Sequence, residues 1–398
     1  MSNQDHPEST ELFSTEFNQN PYPGLSSLRK SDPIYRTLMP NGQYAWVVTR
    51  YEDAVEVLKD QRFSKDRTKL FDDGAGYDVM GKNMLFSDLP DHKRLRSLVQ
   101  KAFTPRMIEG LRGRVEEITN ELIDDMEGQK EADFINAFAF PLPIIVICEM
   151  LGVPTEDRDK FREWSNTLIE ASNNPEQAMN TGQSLMAFMA YIQNWITERR
   201  KDPQDDLITD LIQAEEGGDQ FTEEELCSLV FLLIVAGHET TVNLISNGLL
   251  ALLEHPDQKR KLQENPELIH TAVEEFLRYD GAVMFSTDRW ASETITWGDK
   301  VISQGDLVIV ALGSADRDPE HFADPDVFDI TREKSRHLAF GKGIHACLGA
   351  PLARLEAEIA INTVLRRLPH IKLNTTIEQL KWRPSTIIRG MEEFPVTF

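Results

Sequence analysis

The sequence predicts a mainly helical fold with a minor β part, built around one long central helix. Three observations carry that reading. Helical spacing or good helix formers run through segments near 51–60, 92–102, 106–127, 155–172, 178–201, 222–254, 266–279 and 349–367. Short runs of β-branched and apolar residues beside Gly or Asn mark strands only at 44–48, at Val301 and at 307–312. These two kinds of segment do not alternate regularly, which argues against a doubly wound α/β sheet.

The segment 222–254 is the most informative helix. Thr222, with Glu225 three residues on, offers a capping box at its start. His255-Pro256 ends the pattern. At ~1.5 Å per residue the helix spans roughly 50 Å, enough to cross a whole domain. Residues 229–235 are apolar on every side, so the helix is expected to be buried. Yet Ala236-Gly237-His238-Glu239-Thr240-Thr241 stands at its centre. A buried glycine costs about 1 kcal/mol of helix stability and a buried carboxylate costs more. One reading is a tolerated defect beside a polar crevice. The reading preferred here is a place where the backbone meets a ligand, because glycine, acid and hydroxyl arrive together.

The remaining length is ordinary for a globular chain. It has 398 residues, 40% hydrophobic and 27% charged, with no internal repeat. Residues 1–20 read as a loose tail. The 66 acidic and 42 basic residues give a net charge of −24, a surface that repels nucleic acid and anionic membrane. Three scattered cysteines, Cys148, Cys227 and Cys347, form neither a disulfide framework nor a CxxC zinc pair. The N-terminus shows no basic and apolar leader, and the longest apolar run, 229–237, is far shorter than the ~18 residues of a membrane span. A cytoplasmic protein without membrane insertion is expected.

Cys347 draws the chemistry. It closes the stretch Phe340-Gly341-Lys342-Gly343-Ile344-His345-Ala346-Cys347-Leu348-Gly349 and stands at the start of a helix over 350–368. Unpaired amides and the helix dipole there favour a thiolate and lower the thiol pKa. Gly341 and Gly343 allow a tight loop that brings amides to the sulfur. Three rivals stand beside a metal-ligand role. Most lone cysteines are small buried apolar residues, which is the reading of Cys148 and Cys227. The run 341–346 fits a GxGxxA dinucleotide loop, but without a βαβ unit around it. A nucleophilic pair with His345 lacks an orienting third group.

Taken together, the motifs resemble the cytochrome P450 family. Phe340-Gly341-x-Gly343-x-His345-x-Cys347-Leu348-Gly349 is similar to its cysteine loop at every signature position. The run 236–241 resembles its central helix motif, and Glu275-Phe276-Leu277-Arg278 its ExxR motif. Asp91-His92-Lys93-Arg94-Leu95-Arg96 resembles its propionate-binding helix, and 315–319 with 328–332 the stretch between ExxR and cysteine loop. The order matches from about Asn20 to the C-terminus. The likeness is nearest to soluble bacterial members acting on polyketides, macrolides, terpenoids and fatty acyl chains. Asp316 departs from it, since those members more often carry asparagine, with packing rather than chemistry affected.

The resemblance implies a cytochrome P450-like fold, with the long helix over a haem b (iron protoporphyrin IX), and a single haem-thiolate monooxygenase domain over 21–398. Cys347 would ligate the iron. His92, Arg96, Arg289 and His345 would hold the propionates, and Gly237 and Phe340 would line the cofactor. His92 and Arg96 are spaced i,i+4 on one helix face, and the arginine fork suits a carboxylate. Glu275 and Arg278 would be a buried structural pair rather than the exposed i,i+3 pair their spacing alone suggests. Glu239 and Thr240 would deliver protons to bound dioxygen, one atom of which enters a C–H bond while the other leaves as water. Electrons would come from a separate ferredoxin or flavodoxin with its reductase, docking on a basic patch drawn from Lys93, Arg94, Lys101 and Lys342. A monomer is expected. The substrate is expected to be a lipophilic small molecule, in a pocket walled by 71–84, 234–237, 283–285 and 389–391. A peroxide-driven peroxygenase and a non-enzymatic haem sensor are the competing functions.

Overall fold

The computed structural model describes residues 12–71, 81–154, 157, 160–161, 164, 175–215, 217–333 and 335–398. Most of the helix expected over 155–172 and most of the pocket wall expected over 71–84 lie outside them.

The long helix runs from Glu223 to Glu254. Its capping box forms as the sequence indicates: Thr222 Oγ1 accepts from the Glu225 amide at 3.2 Å, and a Glu225 carboxylate oxygen accepts from the Thr222 amide at 2.9 Å. By length and composition alone this helix could cross a membrane, but more than half of its most apolar window is buried inside the fold. Helices Pro141–Leu151, Pro175–Lys201, Ile269–Asp280 and Ala350–Arg367 pack against it. The largest apolar core gathers there, with Val230, Ile234, Ile245, Leu249, Ala360 and Val364 all buried.

The β part is a five-stranded sheet ordered Ile34–Leu38, Tyr44–Val48, Leu307–Val310, Arg289–Ala291, Phe63–Ser64. Only the contact between Tyr44–Val48 and Leu307–Val310 is parallel. Strand Pro395–Thr397 pairs with Glu131–Asp133, so the C-terminus returns to the middle of the chain. Arg289 therefore enters from a central strand of the sheet, while Cys347 enters from the loop before helix Ala350–Arg367.

Several expectations are corrected. Residues 12–19 are not a loose tail: Ser14 caps a short helix, Thr15–Gln19, and Leu12 and Phe17 are buried, Phe17 with its ring 6.3 Å from Phe285. Two helices occupy the span expected as one over 106–127, broken at Leu111 between Gly110 and Gly113, where helix propensity is lowest. The strand expected over 307–312 stops at Val310, and Leu312 opens a four-residue helix.

Candidate haem-thiolate site

The cysteine loop is fixed from three sides. Gly341 and Gly343 adopt φ of 68° and 76°, the left-handed region that glycine enters without strain. A side chain at Gly343 would also come within 2.7 Å of the Leu58 carbonyl, so the loop lies directly on the end of helix Tyr51–Lys59. The Cys347 amide donates to the Phe340 carbonyl at 2.9 Å, closing the loop, and the Arg354 guanidinium sits 4.6 Å over the Phe340 ring.

Of the three cysteines, Cys148 and Cys227 are buried and Cys347 is exposed. Protein nonetheless surrounds Cys347 closely enough for burial to dominate its titration, so it faces a recess rather than open surface. Burial raises its thiol pKa, against hydrogen bonds from the Gly349 and Ala350 amides and the charges of Arg96 and Arg354. This corrects the sequence expectation of a lowered value: the helix start acts in the expected direction and is outweighed. A thiolate there needs a cation bound to the sulfur, and a ligated metal ion supplies one.

Beside the cysteine stands a group of basic side chains. His92 and His345 meet with ring centroids 4.4 Å apart. His345 is pushed down to about 2, first by burial and then by Arg289, His92, Lys65 and Arg96. Burial lowers His92 and Arg96 and brings Arg289 to about 10. His92 Nε2 and Arg289 Nε are buried without a hydrogen-bond partner. Lys65, buried and pushed down to about 7 by desolvation, donates to Thr287 Oγ1 and the Asp288 carbonyl at 2.6 Å each. Among the described residues, none of Lys65, Arg96 and Arg289 has an ion-paired carboxylate. Lys65 escaped the sequence reading because a lone lysine reads as surface charge. Basic groups clustered at one place, some of them buried with unpaired donors, fit a group that carries two carboxylates, as haem does.

The long helix supplies the other half. It is exposed at Ala236 and Gly237, whereas Ile234 and His238 on either side are buried. Thr240 donates its hydroxyl to the Ala236 carbonyl at 2.8 Å, and Thr241 does the same to Gly237 at 3.0 Å. Burial raises the Glu239 carboxyl above its usual range, opposed by Arg383, whose guanidinium is 3.9 Å away. Arg383 lies outside every motif and gave no sequence signal. His238 turns away, fully buried, with Nε2 at 3.2 Å from the Phe140 carbonyl.

The ExxR pair is buried and buttresses the cysteine loop's approach. Glu275 accepts from Arg278, Arg332 and the Asp329 amide, while Arg278 donates to the carbonyls of Asp316, Pro325 and Val327. Asp316 in turn accepts from the Leu338 amide at 2.6 Å, two residues before Phe340. Of the expected docking cations, Arg94 is ion-paired with Glu225 and Lys101 donates to the Glu215 carbonyl, whereas Lys93 and Lys342 are exposed.

A recess-facing cysteine, clustered basic groups awaiting carboxylates and a long helix opened at a glycine define a haem-thiolate oxidoreductase. A family model described as Cytochrome P450 matches residues 3–388. The polyketide biosynthesis cytochrome P450 PksS of Bacillus subtilis is 44% identical over 393 residues, covering 96% of both chains. The solved PksS structure has a TM-score of 0.92 at 45% identity over 99% of both chains. Myxobacterial CYP267B1, solved with myristic acid, has a TM-score of 0.93 at 44% identity over 98% of this chain and 99% of that one. P450BioI, solved with a hexadec-9Z-enoic acid ligated acyl carrier protein, has a TM-score of 0.89 at 44% identity over 97% of this chain and all of that one. The chain belongs to the cytochrome P450 family, and its cofactor is haem b.

Proposed function

We propose that this enzyme hydroxylates a C–H bond of a lipophilic small molecule, with electrons from a separate ferredoxin or flavodoxin. The observation that carries the reading is the exposure of Ala236 and Gly237, between buried Ile234 and His238 in the long helix, within one turn of Glu239 and Thr240. Bound haem would supply the oxygen-activating chemistry. Cys347 Sγ would ligate its iron, His92, Arg96, Arg289 and His345 would hold its carboxylates, and Phe340 and Gly237 would line it. Glu275 and Arg278 keep the cysteine loop in place and take no part in the chemistry.

Glu239 and Thr240 manage protons. The Glu239 carboxylate takes a proton from solvent and passes it on, burial raising and Arg383 lowering its affinity for that proton. Thr240 Oγ1 donates to the Ala236 carbonyl at rest, which leaves its lone pairs free to accept from a water. That water carries the proton onward. Gly237 presents no side chain to the opening.

The substrate class rests on the relatives: one belongs to polyketide biosynthesis, one was solved with a fatty acid and one with an acyl-loaded carrier protein. A cytoplasmic monomer is part of the same reading, and sedimentation of the purified protein tests the monomer. The activity itself is tested with Thr240→Ala. Electrons should still be consumed in that variant while product per electron falls several-fold. Unchanged yield per electron would remove the proton role. Turnover with peroxide alone, and none with electron carriers, would replace the reading by a peroxygenase.

A further inference from the structure

The wall beside Glu239 comes from the last turn of the chain, and the long helix is shaped to hold it. Residues 239, 243 and 247 are spaced i, i+4, i+8, which places them along one face. Asn247 Nδ2 donates to the carbonyls of Arg389 and Asp280 at 3.1 Å each. Asn243 Nδ2 donates to the Glu239 carbonyl at 3.0 Å, and its Oδ1 lies 2.0 Å from where a Cβ on Gly390 would stand. Only glycine at 390 permits so close an approach of loop to helix.

The loop is also fastened to itself. Trp382 and Met391 form an antiparallel bridge, the Arg383 amide donates to the Gly390 carbonyl at 2.9 Å, and Arg383 Nε donates to the Met391 carbonyl at 3.1 Å. This leaves the far end of the Arg383 guanidinium 3.9 Å from Glu239 Oε1. The Arg383 side chain is 27% exposed and that of Glu239 14%, so Arg383 is the partner that meets more solvent. The loop's other arginine, Arg389, is engaged with Asp280 at 2.6 Å. The cysteine helix adds a buried carboxyl, Glu356, with no cation partner. Among the described residues Arg383 is the one cation in ion-pair reach of Glu239.

We propose that Arg383 is a positioning residue for proton delivery: it holds the Glu239 carboxylate ionised and turned toward solvent between proton transfers. The proposal rests on Glu239 being the relay described above. Burial alone keeps a carboxyl protonated, and a relay that already holds a proton cannot accept one from solvent. A cation 3.9 Å from the acid works against burial and favours the charged, proton-accepting form. Being partly exposed, Arg383 meets the water that supplies the proton.

The test measures product formed per electron consumed in the haem-loaded enzyme for the parent, Glu239→Gln, Arg383→Gln, Arg383→Lys and the double variant Glu239→Gln/Arg383→Gln. Arg383→Gln should lower the yield about fivefold, the scale of one partly screened ion pair. Arg383→Lys keeps the charge and loses the Nε bond to Met391, so its recovery of yield separates charge from loop fastening. The double variant should be no worse than Glu239→Gln, because Arg383 acts through Glu239. In the resting protein, Arg383→Gln should show at neutral pH a protonated-carboxyl infrared band that is missing from the double variant. If Glu239→Gln lowers the yield and Arg383→Gln does not, or if the two losses add, Arg383 has no positioning role. If Glu239→Gln leaves the yield unchanged, the relay itself is wrong and this proposal falls with it.

Discussion

Arg278 donates through Nε and Nη2 to the two carboxylate oxygens of Glu275, each at 2.7 Å, with both side chains buried. The pair has further obligations. The Asp329 amide and Arg332 also bond to Glu275, so its charge holds the chain between the ExxR helix and the cysteine loop. Glu275→Gln keeps the shape and removes the charge. Leaving Arg278 without its carboxylate should cost about 3–5 kcal/mol. The urea midpoint should drop, and purified protein should carry less haem. A variant with the parent's stability and haem content would show that Arg278 is satisfied by its carbonyl partners alone.

Cys347 should be separable from the other cysteines by spectroscopy. Cys347→Ala should abolish the thiolate-type carbonyl difference spectrum. Cys148→Ala and Cys227→Ala should leave it intact, since both are buried away from the site and burial pushes the Cys227 thiol up to about 11. A thiolate-type spectrum in the Cys347 variant would overturn the ligand assignment.

What was legible in the sequence follows from what leaves a local trace. The capping box at Thr222 and the loop glycines before Cys347 are local chemistry, and both stand where the sequence put them. Helix Pro141–Leu151 left no trace because it is apolar on nearly every side and so shows no amphipathic period. The burial of Glu275 and Arg278 was legible only through the family resemblance, because an i,i+3 pair reads the same on a surface as in a core. Lys65 and Arg383 matter through neighbours more than a hundred residues away, Thr287 and Glu239. The thiol of Cys347 was misjudged for a related reason: amides at a helix start are visible in sequence, whereas the depth of the recess around them is not.

Of the proposed docking cations, Lys93 and Lys342 are exposed, whereas Arg94 is held by Glu225 and Lys101 donates to the Glu215 carbonyl. Lys93→Glu with Lys342→Glu should slow the first reduction by an acidic carrier about tenfold at low salt. The difference should shrink near physiological ionic strength, where charges more than ~8 Å apart are screened. Stopped-flow reduction across a salt series measures both. Equal rates in parent and variant at every salt concentration would place the docking patch elsewhere.

Asp316 gives the fold a pH dependence of defined sign. Its carboxyl is buried beside the Leu338 amide, and desolvation pushes it up from 3.8 to about 7, with His337 and Arg278 opposing. Below the unfolded value, both states hold the proton and Asp316 contributes nothing. Between that value and about 7, the folded chain keeps a proton that the unfolded chain releases, so stability falls as pH rises. Above about 7 the loss is complete and stays constant. At about 1.4 kcal/mol per pK unit the full effect is up to about 4 kcal/mol. Asp316→Asn keeps an oxygen to accept from the Leu338 amide and has no charge to desolvate. It should therefore be more stable than the parent above neutral pH, with the gain shrinking toward pH ~4. Urea midpoints of the two proteins across that range measure it. A parent more stable than the variant at alkaline pH would mean that the Leu338 amide and Arg278 outweigh burial and favour the ionised carboxylate, and would reverse the sign.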